Sequence, residues 1–230
     1  MSCACAFPWR TLLLVTFVLP LAGCAELSVY NPFRRQEWAE EKKFGPNLEE
    51  RISQMRETAA RAKSMSPAEQ EQSISQLARQ AQQESNPHML AQIIRSLGSY
   101  PAPGAMAPLQ QALSDKDTGV RIAACDAWAK RGGAEAVAAM SQIINSDTES
   151  DVRMAAARTL GELKDPAGVP ALALCLDDTN PALQHRAIES LRLVSGKDYG
   201  DVASWREYAK GRNPKPFTPP SVAERVRQLF

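Results

Sequence analysis

An all-α fold, a short α-solenoid of stacked helix pairs with an N-terminal helical hairpin, is predicted for this sequence by three observations. First, the chain repeats itself: Asp115, Asp147 and Asp178 stand 32 and 31 residues apart, each five residues before Val120, Val152 or Leu183. Second, every unit carries two apolar stripes at spacings of three and four, the period of an amphipathic helix. Third, Asn86-Pro87 and Asn180-Pro181 place an N-capping side chain and a first-turn proline where stripes begin.

The register holds in many columns. Arg121 and Arg153 follow the valines, with Gln184 in the third copy; Ala124, Ala156 and Ala187 come next, and Trp128, Leu160 and Leu191 close each first helix. One further step back lands on Glu84, Met89, Leu90, Ile93 and Leu97, a more degenerate fourth copy. In the second helices, Met106, Val137 and Val169 align, then Leu109, Met140 and Leu172, then Leu113, Ile144 and Leu176. Pro108 and Pro170 sit where a first helical turn tolerates proline. About four repeats therefore occupy residues 84–211.

The recurring aspartate, Val-Arg, Ala-Ala and leucine pattern resembles the short HEAT-like repeats typified by the phycobilin-lyase family. The resemblance implies a helix-turn-helix solenoid presenting an extended surface, and no quoted residue belongs to a pigment site. One helix pair cannot bury its own apolar faces, so the ends of such an array need closing. Trp205 and Tyr208 offer rings for the C-terminal end. At the N-terminal end, residues 47–83 are predicted to form the hairpin: Leu48, Ile52, Met55, Ala59 and Ala62 make one seam, and Ser66-Pro67-Ala68-Glu69 opens a second helix striped by Ile74, Leu77, Ala78 and Ala81.

The first residues predict an address. Arg10, the apolar run Leu12 to Leu19 and then Leu21-Ala22-Gly23-Cys24 have the order of a bacterial lipoprotein signal peptide, residues 1–23, with Cys24 resembling the lipidated first residue of the mature chain. The run is too short for a helix that spans a hydrocarbon core of roughly 30 Å. The resemblance implies a lipid anchor (the palmitate-type acylation of such proteins) and, because Ala25 and not aspartate follows, sorting to the outer membrane. Residues 24–46 serve as a tether. Residues 212–230 form a Pro-rich linker and a short C-terminal helix through Val222, Val226 and Leu229; residues 206–230 carry six Lys or Arg against two Glu, fit for a membrane surface, a partner or the last repeat.

Composition and motifs restrict the chemistry. The chain holds 27 Lys+Arg and 26 Asp+Glu, without the basic excess that nucleic-acid binding calls for. Its two histidines, His88 and His185, lie in different repeats and neither precedes a glutamate, so the repeated His-Glu pairs of HEAT-type iron hydroxylases are missing. No cofactor, metal or small-molecule substrate is expected, and no catalytic residue is assigned. Asp147, Glu149, Asp151, Asp177 and Asp178 form an acidic edge without a glycine-punctuated calcium loop. Cys125 and Cys175 read as small buried apolar residues, a disulfide between them being the other reading. Arg121 and Arg153 either line a groove for an anionic partner or, with Asp115, Asp147 and Asp178, build an inter-repeat ladder of charge-assisted bonds.

The expected function is a membrane-tethered, non-enzymatic scaffold for another, unidentified cell-envelope protein, its second helices and amides such as Gln110, Gln111 and Gln142 forming a concave binding face. The alternatives are an accessory or regulatory subunit of an envelope enzyme, or a structural link between membrane and cell wall.

Overall fold

The structure is a computed structural model, and it describes residues 45–218. The signal peptide, Cys24, the tether and the helix expected from Ser221 lie outside the described residues. Ten α-helices and no strand are found among those described: α1 (Leu48–Ala60), α2 (Pro67–Gln83), α3 (Pro87–Leu97), α4 (Met106–Ala112), α5 (Thr118–Arg131), α6 (Gly133–Ser146), α7 (Ser150–Leu163), α8 (Val169–Cys175), α9 (Pro181–Ser195) and α10 (Val202–Ala209).

Local chemistry sets most of the starts. Asn47 with Glu50 and Ser66 with Glu69 form capping boxes, each pair satisfying two otherwise orphaned N–H groups. Asn86, Asp117, Asn180 and Asp201 accept from first-turn amides of α3, α5, α9 and α10, and Pro87 and Pro181 fill first-turn positions that have no N–H partner to lose. Gly132 (φ 71°) and Gly196 (φ 66°) end α5 and α9 in a backbone region that costs a side chain energy. The second helices α4 and α8 are entered through 3-10 turns at Pro103–Ala105 and Pro166–Gly168.

Helices alternate between two layers. The odd-numbered helices stack on one another, the even-numbered ones pack against the following odd helix, and a continuous apolar core lies between. Columns read from the sequence map onto it: Met89, Val120, Val152 and Leu183 are all buried, as are Leu109, Met140, Leu172 and Leu97, Trp128, Leu160, Leu191. The fold is an α-solenoid.

The N-terminal helix pair closes the array at the end the sequence predicts, its two helices meeting α3 more than each other. Helices α1 and α2 both rest chiefly on α3, with α1 beside α3 as α3 lies beside α5, so the pair forms the first layer of the array. Leu48 accordingly stands exposed, while Ile52, Ala59 and Ala62 are buried.

The odd-numbered helices approach closely. A Cβ placed on Gly98 would lie 2.5 Å from the Ala127 Cα, and one on Gly161 would lie 2.8 Å from the Ser190 Cα. Both obstacles are backbone atoms, which yield only if the helices move apart. Gly98→Ala is therefore expected to destabilise the protein by about 1–3 kcal/mol, the usual cost of overpacking. A urea unfolding midpoint equal to that of the wild type would show that α3 and α5 are not so tightly apposed.

At the C-terminal end, Trp205 is fully buried and meets Tyr199 edge-on with ring centroids 4.8 Å apart; Tyr208 completes the trio at 5.4 Å from Tyr199. The chain then folds back: the Phe217 N–H donates to the Asp198 carbonyl at 2.7 Å, and the Phe217 ring lies over Gly200, where a Cβ would come within 2.9 Å of it. This part of the Pro-rich segment is docked on the last layer.

Candidate functional site

The recurring aspartates share one role, and two of them have a second. The carboxylates of Asp115, Asp147 and Asp178 accept from the backbone N–H two residues on, at 2.8, 2.9 and 2.8 Å, shaping the turn that leads into the next first helix. Glu84, in the degenerate copy, makes the same bond to the Asn86 N–H. At Asp147 and Asp178 the remaining acceptor capacity takes an arginine from the preceding repeat. Arg121 Nε and Nη2 hold both Asp147 oxygens at 2.7 and 3.1 Å, and Arg153 Nη2 reaches Asp178 at 3.1 Å. Each arginine also donates backward to its own repeat, Arg121 to the Asp115 carbonyl and Arg153 to the Asp147 carbonyl; Gln184 does likewise to Asp178.

Arg121 and Asp147 form the most protected rung, their side chains 13% and 7% exposed. The hydrogen-bonded Asp147 carboxylate holds the Arg121 guanidinium above its ordinary range, against the opposing effect of burial. Asp115 is different. Leu90 occupies the position that Arg121 and Arg153 fill in later copies, so among the described residues no side-chain cation bonds to the Asp115 carboxylate. The acidic edge is also largely spoken for, since Arg206 Nε donates to Asp177 at 2.7 Å.

Beside this rung a groove of about 330 Å³ runs between the second helices α4 and α6. Gln110 and Gln142 line it, Leu113, Ala139 and Ile143 give it an apolar floor, and Asp115, Arg121 and Asp147 close one end. Such a lining supplies hydrogen-bond donors and acceptors on an apolar bed, which suits the backbone and side chains of a peptide. Gln111 belongs to a neighbouring, smaller depression with Leu90, Ile94 and Pro108.

A second charge column was not read from the sequence. Arg95, Asp126, Arg158 and Glu189 stand 31, 32 and 31 residues apart on α3, α5, α7 and α9 and alternate in sign. Asp126 accepts from Arg95 Nε at 3.2 Å and from Arg158 Nη2, bridging three first helices. The same self-alignment that revealed the aspartates contains this column, hidden because its residue type changes at every step.

The other candidate chemistries fall as follows. His185 sits 3.3 Å from Glu189 within one helix, and His88 lies in the exposed first turn of α3. Among the described residues no group of three His, Cys, Asp or Glu could hold a metal ion. Cys125 and Cys175 are free and buried, and burial pushes both thiols up to about 12. Neither forms appreciable thiolate at neutral pH.

Comparison with known proteins adds a family. The model for HEAT repeats matches residues 74–159 and 137–202, more than half of the chain. The chain belongs to the HEAT-repeat family. The first match begins at Ile74, inside α2, so the HEAT-repeat pattern reaches into the N-terminal helix pair. No curated protein matches the sequence. Among solved structures, an engineered protein is similar at 18% identity over 69% of this chain and 85% of its own, with a TM-score of 0.39.

Proposed function

We propose that this HEAT-repeat chain is a membrane-tethered, non-enzymatic protein-interaction scaffold of the bacterial cell envelope, anchored through a lipid on Cys24. The observation that carries the scaffold is the open, amide-lined groove between α4 and α6, set beside the Arg121–Asp147 pair that holds two repeats together. HEAT arrays present extended surfaces built by successive helices, and binding along them needs no titrating cluster. The tether rests on the sequence alone, on Leu21-Ala22-Gly23-Cys24 behind an apolar run. No helix among the described residues is long and apolar enough to cross a membrane, and a lipid would supply the attachment in another way. Ala25 directs the proposal to the outer membrane.

The test is the intact mass of the membrane-extracted protein beside a Cys24→Ala variant, followed by crosslinking in the same envelope fraction. A diacylglyceryl mass gain lost in the variant, with one recurrent crosslinked protein, is the expected result. An unmodified protein in the soluble fraction would remove the tether. Sedimentation with isolated peptidoglycan in place of a protein crosslink would replace the scaffold by a link to the cell wall.

A further inference from the structure

The first-helix layer carries a second groove, of about 630 Å³, across α1, α3 and α5. Its lining includes Arg56, Arg95 and Lys130, together with Gln92, Ser96 and Ser99, and contains no carboxylate. Gln92 and Ser96 are polar residues more than nine-tenths buried, which is unusual away from a partner. The cations are only partly engaged. Arg56 Nη2 donates to Gln92 Oε1 at 3.3 Å, Arg95 Nε to Asp126 at 3.2 Å and Lys130 Nζ to the Arg95 carbonyl at 3.2 Å. Each bond uses one donor of a side chain that has three or, for arginine, five.

We infer that this groove binds a short acidic segment of a partner protein in extended conformation, a reading that rests on the scaffold function proposed above. Span decides against a small anion. Neighbouring helix axes lie about 8–10 Å apart, so three helices cover roughly 16–20 Å. An extended chain at about 3.3 Å per residue crosses that distance in about five or six residues, whereas one phosphate reaches a single layer. The lining also suits a peptide backbone: Gln92, Ser96 and Ser99 can accept from peptide N–H groups as well as donate. A nucleic-acid phosphate backbone offers these acceptors no N–H donor.

The experiment uses the full-length chain and a fluorescein-labelled hexapeptide of alternating glutamate and aspartate, read by anisotropy at low and moderate salt. Saturable, salt-sensitive binding is expected, weakened about tenfold by Arg56→Glu and by Lys130→Glu and unchanged by Lys116→Glu, a charge reversal outside the groove. Absence of binding at millimolar chain, equal loss with Lys116→Glu, or equally tight binding of an oligothymidylate of the same charge overturns the inference. A recurrent envelope crosslink that survives Arg56→Glu and Lys130→Glu also overturns it while leaving the scaffold reading in place.

Discussion

Asp147→Ala is expected to destabilise the array by about 3–5 kcal/mol, because it strands the Arg121 guanidinium in a site where only 13% of that side chain is exposed. Two further details raise the cost above that of a surface ion pair. The contact is bidentate, and the same carboxylate accepts the Glu149 N–H that shapes the entry to α7. Asp147→Asn keeps an acceptor for that N–H and is expected to lose less. The double variant Arg121→Met with Asp147→Ala is expected to recover part of the loss, since removing both charges also removes the desolvation penalty. Urea unfolding followed by circular dichroism measures all four proteins. A single-variant loss below about 1 kcal/mol would place the rung with ordinary exposed pairs.

Trp205→Ala is expected to cost about 3–5 kcal/mol, the range for emptying a fully buried aromatic site. Its distribution along the chain is as informative as its size. Each layer of a solenoid contacts only its neighbours, so the cavity weakens α9 and α10 and is felt little in α1 to α3. Hydrogen exchange is expected to rise first in Pro181–Ser195 and Val202–Ala209. Uniform loss of protection along the array would show that it unfolds as one unit. Trp205→Phe discards an indole N–H that finds no acceptor among the described residues, so its loss is expected to be much smaller.

The two columns of charge show how legibility depends on residue type. Asp115, Asp147 and Asp178 stand out because the same turn geometry calls for the same short carboxylate in each copy. Arg95, Asp126, Arg158 and Glu189 occupy an equally regular column, but the residue type changes from each copy to the next, so no single letter marks it. The Asp115 position sharpens the point. Its carboxylate is in register, yet its rung depends on position 90 of the preceding repeat, and a leucine there breaks the ladder. A column of one partner does not disclose the other.

What one strand of text carries, in the end, is periodicity: which residues recur, and therefore which faces are buried, where helices are capped, and that the units stack. Burial at a column repeats because every layer meets the next in the same way, and local caps need only residues within three or four positions. The all-helical solenoid and its HEAT-like character follow from that. Which surfaces are left over does not. The N-terminal helix pair joins the array as a first layer with Leu48 outside, and the apposition of Gly98 to Ala127 and the gathering of Arg56, Arg95 and Lys130 into one groove join residues 29 or more positions apart. Such contacts depend on the angle and spacing at which helices pack, quantities set by the summed fit of many side chains and written in no single residue.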